Sequence, residues 1–471
     1  MKKLFLSLTA IFLSLTLAAC SAAENSAAKG EAVGGASGGM HAAADADGSY
    51  GGGKLEYGEA FEDAAGDMVV GDAAAPEGVY GDYDSPDGSG ENHIPATAGT
   101  LTAGEWIDND HITFWNALHQ IEDTGWSSYS SLWSRAYTAR TFVTVTYNGE
   151  PVENATVTVT NSDNKTLWTA RTDNEGKAYL FYNPSQLESG LTVTAEYSEN
   201  GETGTATITS ENYTSCSIDL TPIEDIYNAH NTDSLDLMLV VDTTGSMSDE
   251  LSYLQKELEN VITRAVSDNG NIPIRLSVNF YRDDGDEYVV RSFPFTDDIS
   301  GAISALKAQD ADGGGDFPEK VNAALYNAIN DHDWNGNSTK LLFIILDAPP
   351  HSEDSKAVEE MNALTAQAAE KGIRIIPILA SGGDKEAEYL MRDMAMKTGG
   401  TYLFLTDDSG ISVGGHIQPT VGDYEVEKLN DLMVKVINRY LAANNAPAEY
   451  IDEQVELVEE QDPDITTQNE Q

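Results

Sequence analysis

Asp242, Thr244 and Ser246 place three oxygen-bearing side chains at alternate positions directly after the apolar run 237–241, which Leu235 and Asp236 precede. One carboxylate and two hydroxyls on a single turn are hard donors, suited to Mg²⁺ in an octahedral shell and, by the same chemistry, to Ca²⁺ or Mn²⁺. Histidine and cysteine, which select zinc, are absent from this turn. A further aspartate, Asp347, ends a second apolar run at 341–346. Between the two lies the loop 312–319, Asp-Gly-Gly-Gly-Asp-Phe-Pro-Glu, in which Asp316 offers another carboxylate. Its glycines let the backbone approach a cation closely, and Pro318 marks the first turn of a helix.

Such side chains need a scaffold that brings two strand ends to one edge. From residue 235 onward strands alternate with helices, the pattern of a doubly wound α/β sheet, mainly parallel and covered on both faces. Strands are expected at 235–241, 274–280, 288–295, 340–346, 373–379 and 401–405. Met247, Leu251, Leu254, Leu258, Val261 and Ala265 form an apolar stripe at helical spacing, and Val426, Leu429, Met433, Val436 and Tyr440 repeat it near the end. In a sheet of this kind ligands bind beyond the carboxyl ends of the strands, where the strand order reverses, so Asp242 and Asp347 are expected at the same edge.

With three loops in this order, residues 235–443 resemble a von Willebrand factor A domain. Asp242, Thr244 and Ser246 match its Asp-x-Ser-x-Ser metal-ion-dependent adhesion site, threonine replacing the first serine and keeping the hydroxyl. Asp347 matches the aspartate of the third metal loop. Asp316 falls where many members carry a threonine, and the Gly-Gly-Gly-Asp-x-Pro-Glu form resembles a bacterial branch of the family; direct contact with the cation and contact through water both stay open. The resemblance implies a Mg²⁺ site. Two hydroxyls in place of two more carboxylates leave the cation incompletely neutralised, with an open position for an acidic group on a protein or glycan partner. No general base and no Gly-x-Ser-x-Gly nucleophile motif accompanies these residues, so binding without catalysis is expected. The alternatives are a metal-dependent extracellular hydrolase and a structural spacer without metal. Residues 331–336 begin like an EF-hand loop, but position twelve is Leu342 and the bidentate glutamate is missing, leaving a polar turn. His351, beside Pro349 and Pro350, reads as a loop residue.

Upstream, residues 1–19 have the basic start and short apolar core of a secretory signal peptide. The ending Leu17-Ala18-Ala19-Cys20 resembles the bacterial lipobox, which implies a lipidated Cys20. It implies attachment to the outer face of the cell membrane, or to the outer membrane in a Gram-negative host, by acyl chains and not by a span. Residues 20–100, rich in Gly, Ala and Asp, read as a disordered tether with an end-to-end distance of about 50 Å. Trp106, Trp115, Trp126 and Trp133 crowd into 101–137, which reads as a helical cap packed on the next domain. Its opening Leu-Thr-Ala-Gly-Glu-Trp resembles a segment that precedes extracellular domains in some bacterial surface proteins.

Residues 138–221 alternate with period two and carry turn signals at Asn148-Gly149 and 173–176, so an antiparallel β-sandwich of roughly seven strands is expected. The runs 145–157 and 172–178 resemble carboxypeptidase-regulatory and transthyretin-like modules, which makes this Ig-like part a spacer or presenter. Cys216, on the inward face with Ile218 and Leu220, reads as a buried apolar residue. Residues 444–471 read as a solvated, disordered acidic tail.

The chain carries 26 basic against 78 acidic residues, a formal net charge of -52. That field excludes nucleic acid as a partner and repels anionic lipid, so contact with the membrane is expected through the lipid anchor only. An acidic ligand would have to be recruited through a bound cation.

Overall fold

Both apolar runs that end in aspartate become central strands of one eight-stranded sheet. The computed structural model describes residues 97–121, 124–133, 139–186, 190–199, 202–210, 214–220, 234–269, 272–409, 416–442, 448–453 and 455, all within the unit from Ala60 to Gln471. The expected signal peptide, Cys20, nearly all of the tether and the tail beyond 455 lie outside the described residues.

In chain order the elements are β1 (Thr102–Trp106), α1 (Ile112–Leu118), α2 (Trp126–Trp133), β2 (Ala139–Tyr147), β3 (Glu150–Pro151), β4 (Thr156–Thr160), β5 (Thr166–Arg171), β6 (Lys177–Tyr182), β7 (Leu191–Glu199), β8 (Glu202–Ser210), β9 (Ser215–Asp219), β10 (Leu235–Asp242), α3 (Ser248–Asp268), β11 (Ile274–Tyr281), β12 (Val290–Arg291), α4 (Ile299–Lys307), α5 (Val321–Asn330), β13 (Thr339–Leu346), α6 (Ser355–Lys371), β14 (Ile373–Leu379), α7 (Lys385–Thr398), β15 (Tyr402–Thr406), β16 (Glu427–Lys428) and α8 (Leu429–Leu441).

The large sheet has the order β12-β11-β10-β13-β14-β15-β1-β16. Strands β10, β11, β13, β14 and β15 run parallel. The chain leaves β10 for β11 on one side and returns to β13 on the other, so the order reverses between β10 and β13. Their carboxyl ends carry Asp242 and Asp347.

Alternation along β10 feeds two cores, as a strand covered on both faces requires. Leu237, Leu239 and Val241 join Leu251, Leu254 and Leu258 of α3 and Met433 of α8. Met238 and Val240 join the opposite core with Leu325 of α5 and Met361 of α6.

Three expectations for this sheet need adjusting. The strand expected at 288–295 narrows to Val290–Arg291, because beyond Arg291 side chains replace the ladder: Asn279 accepts from the Phe293 N–H at 2.8 Å and Ser277 donates to the Phe293 carbonyl at 2.7 Å. Val426 precedes the last helix and is exposed, since Glu427 and Lys428 are drawn into pairing with β1. Residues 102–106 form no part of a helical cap; they insert as a strand antiparallel to β15. Gly104 permits this, because a Cβ there would lie 2.4 Å from the Phe404 ring.

The four tryptophans of 101–137 are buried, and Trp115, Trp126 and Trp133 meet Tyr389, Arg392 and Glu386 of α7, in the α/β domain. Trp115 and Trp126 lie 5.2 and 5.1 Å from the guanidinium of the buried Arg392. Arg392 in turn donates to Asp108 at 2.9 and 2.6 Å.

Residues 139–219 form two four-stranded sheets, β3-β2-β6 with β9 beside β2, and β5-β4-β7-β8. The period-two residues Val143, Val145, Val157, Val159 and Val193 are all buried, and Asn148 and Gly149 adopt the left-handed conformations that a tight hairpin needs. Strand β9 runs parallel to β2, so the pairing is not wholly antiparallel. Cys216 is partly buried against the core, and burial pushes its thiol up to about 12. The described piece of the acidic tail also packs: Thr113 donates to Asp452 at 3.0 and 2.5 Å, and the Glu453 N–H donates to Asp110 at 2.7 Å.

Candidate functional site

Strand β10 ends in Asp242, which is fully buried. The chain is turned there by Thr243, whose N–H and hydroxyl both donate to the Tyr281 carbonyl at 3.0 Å and whose hydroxyl also meets Tyr288 at 2.8 Å. Thr244 then folds back on the strand end, its N–H and hydroxyl donating to Asp242 Oδ1 at 2.9 and 2.7 Å. Thr244 and Ser246 hydroxyls are 3.1 Å apart. One turn of 3₁₀ helix, Gly245–Met247, leads into α3.

The glycine-rich loop lies directly on this turn. Gly245 donates to the Gly313 carbonyl at 3.1 Å, and Gly314 donates to Asp286 Oδ2 at 2.9 Å. Gly313 and Gly314 have φ of 79° and 69°, and a Cβ on Gly313 would fall 2.3 Å from the Asp286 carboxylate. Only glycine holds that path without strain.

Asp347, at the end of β13, is buried beside the turn. Three carboxylate oxygens here have no hydrogen-bond partner: Asp242 Oδ2, Asp347 Oδ1 and Glu319 Oε2. Burial, then the neighbouring charge of Asp347, raises the Asp242 carboxyl well above its usual range. Burial likewise raises Asp347, with a hydrogen bond from Ser246 opposing it. Glu319 is pushed up to about 9, first by burial and then by the charges of Asp242, Asp283, Asp347 and Asp286. Acids held this way lack a positive counterpart, and the chemistry of the set, carboxylates with two hydroxyls, fits a hard divalent cation. Among the described residues no group of three or more His, Cys, Asp or Glu side chains is arranged to hold a metal alone.

Four of the expected residues, Asp242, Thr244, Ser246 and Asp347, come together at one edge. Asp316 stands apart, exposed on the bend that follows the glycines. Glu319, three residues on, is the acid that turns inward, 2% exposed, with its N–H bonded to the Pro349 carbonyl at 3.0 Å. Sequence reasoning passed over it because a glutamate just before a helix reads as a helix-start residue. It also passed over Asp283, Asp286 and Glu250. Glu250 is buried and accepts from the Ser381 hydroxyl and, at 3.2 Å, from its N–H. His351 is tied to this rim, 3.1 Å from Asp283 and 2.9 Å from Glu353. Burial lowers its pKa, but the bonds to those two acids outweigh that and raise it. The turn at 331–336 pairs instead with the opposite end of the sheet, Asp236 accepting from the Asn335 N–H at 2.7 Å.

A doubly wound α/β domain with an acid-and-hydroxyl edge at its strand reversal is the class defined by this geometry. Residues 236–413 match the family model of the von Willebrand factor A domain, and the chain contains that domain. Over 121 residues the chain is 32% identical to a putative ariadne-like RING finger protein, R811, of Acanthamoeba polyphaga mimivirus; the match spans 26% of this chain and 12% of that protein. Among solved structures, it is similar to the conserved hypothetical protein BatB from Bacteroides thetaiotaomicron, with 12% identity over 44% of this chain and 98% of that one, at a TM-score of 0.31. An aerotolerance-related membrane protein from Bacteroides fragilis gives 16% identity over 44% of this chain and 100% of that one, at a TM-score of 0.29. No helix among the described residues is long and apolar enough to cross a membrane.

Proposed function

We propose that this chain is a surface-anchored lipoprotein whose A domain binds a protein or glycan ligand through Mg²⁺ held by Asp242, Thr244, Ser246 and Asp347, without catalysis. The observation that carries this reading is the pair of buried, partnerless oxygens, Asp242 Oδ2 and Asp347 Oδ1, at the edge that also holds two hydroxyls. When bound, the cation supplies a position that an acidic oxygen of the partner completes. Thr244 fixes the orientation of Asp242 through its two bonds, and the Ser246 hydroxyl lies 3.1 Å from that of Thr244. Asp316, on the exposed rim, would reach the cation through water. The two four-stranded sheets fit a β-sandwich that presents the A domain, and the sequence of residues 1–20 supports a lipid anchor at Cys20.

The test is retention from surface extracts on the immobilised full chain, in Mg²⁺ and again in chelator. The reading requires a ligand held only with Mg²⁺ and lost with Asp242→Ala. Turnover of ester, phosphate or peptide substrates that disappears in the same variant would overturn the non-catalytic assignment.

A further inference from the structure

At the end of β13 opposite to Asp347, loops of the two small sheets meet the A domain around a narrow cleft. Arg171, Lys340 and Arg374 stand in its wall, with Glu153, Asp173 and Thr339 beside them. Each of the three cations gives its hydrogen bonds to neutral oxygens. Lys340 donates to the Ser338 carbonyl at 3.1 Å, Arg374 to the Thr398 and Arg171 carbonyls at 2.9 and 2.7 Å, and Arg171 to the Glu370 and Asn154 carbonyls at 3.2 Å. The surrounding acids are engaged by other groups: Asp173 lies 3.7 Å from Lys177, Asp236 lies 2.6 Å from Arg275, and Glu153 accepts from the Thr339 hydroxyl at 3.2 Å. Among the described residues none of the three cations is in an ion pair. Burial and then Arg171, with Arg374 adding to them, pull Lys340 down to about 8 against the charges of Asp236 and Glu153. Positive charge gathered here without a counterion is what holds that lysine down.

We propose that this cleft binds one small univalent anion of about the size of chloride, held by Arg171, Lys340 and Arg374, and that the anion joins the small sheets to the A domain. The room in the cleft decides the class of ligand. The centre of a water-sized sphere can move there over about 20 Å³, space for a halide or a single carboxylate group and too little for a nucleotide or a sugar phosphate. The cationic side chains come from both parts, Arg171 from β5, Lys340 from β13 and Arg374 from β14. An anion between them would reinforce a seam that already carries the Arg374 bond to Arg171 and a bond from Asn154 to the Gly336 carbonyl at 2.9 Å. Elsewhere the net charge of -52 repels anions, so the cleft faces little competition from the rest of the surface. Anion binding and the proton on Lys340 strengthen one another, because each favours the state the other requires.

The experiment is the chloride NMR line width of sodium chloride solutions containing the full chain in chelator, since chloride that exchanges with a site on a slowly tumbling protein broadens the line. Wild type should broaden it at neutral pH, and Lys340→Met should remove most of the excess width. Raising the pH of the wild-type sample from about 7 to about 9.5 should weaken binding about fivefold or more, as Lys340 gives up its proton. Sodium acetate added at constant ionic strength identifies the source: loss of the excess width shows that a carboxylate enters the same site, and its persistence shows a site for the bare halide, either of which fits the proposal. A width that Lys340→Met leaves unchanged, or that does not fall as the pH rises, overturns it. Should Lys340→Met not fold, the wild-type pH series decides by itself. A wild-type chain that produces no excess width at neutral pH also overturns the proposal.

Discussion

Asp242→Asn separates the charge of the candidate site from its shape. Without metal, Asp242, Asp347 and Glu319 bury three acids, each with an oxygen that has no partner. Asparagine keeps Oδ1 as acceptor for the two Thr244 donors at 2.9 and 2.7 Å. It also puts an N–H₂ donor where the partnerless Oδ2 lies. Replacing an acid whose ionisation is opposed by burial and by the Asp347 charge with a neutral amide is worth about 1–3 kcal/mol at neutral pH. In chelator the variant should therefore melt about 2–10 °C above wild type. In Mg²⁺ the gap shrinks by the free energy of cation binding. At 100 times its dissociation constant the cation adds about 2.7 kcal/mol to wild type, or about 5–10 °C, and little to the variant. Thermal melts of both proteins in chelator and in a Mg²⁺ series, read by calorimetry and tryptophan fluorescence, give all four numbers. A variant that is less stable than wild type in chelator, or that keeps the wild-type Mg²⁺ shift, refutes the reasoning.

Asp108→Ala leaves the buried Arg392 with Glu388 at 3.3 Å as its remaining carboxylate and should cost about 3 kcal/mol in guanidinium unfolding. The tryptophan signal of the cap should change in the same transition as the α/β domain. Lys340, pulled down to about 8 by burial and then by Arg171, titrates in the folded state before it does in the unfolded chain. The unfolded state then binds more protons between about pH 8 and 10.5, so this group's contribution to stability rises with pH across that window. Lys340→Met should flatten that rise and stabilise the protein at pH 7 by about 1–3 kcal/mol, as read from denaturant melts across pH. Because burial raises the Cys216 thiol to about 12, it should react with a disulfide reagent slowly at pH 8 in the native protein and at once after unfolding. Fast native labelling would contradict its packing.

Much of the scaffold is legible because its periods are strong. The run 237–241 is apolar without alternation, as a strand buried on both faces must be, and it lies within β10, every residue of which is buried. The stripe from Met247 to Ala265 becomes the buried face of α3 for the matching helical reason. Strand β1 was hidden. Its five residues, Thr-Ala-Gly-Glu-Trp, include glycine and alanine, which weaken a local strand preference. The free edge of β15, with Phe404 covering Gly104, recruits them. The tryptophans announced a packed cap, but their host was decided by Arg392, a residue more than 250 positions away from each of them.

At the site itself the sequence determined the oxygen chemistry: an aspartate and two hydroxyls on one turn, a second aspartate after a buried run, and glycines between. Those follow from side-chain type and spacing, which act locally. Whether Asp316 or Glu319 turns inward does not, because both are acids on one short loop. That choice was made by the Pro349 carbonyl, which captures the Glu319 N–H and carries its carboxylate under the loop, and leaves Asp316 in water. The strand reversal between β10 and β13 put these pieces within reach of one another. Only the tertiary structure could supply that, since the bond pinning Glu319 joins segments that meet through the fold.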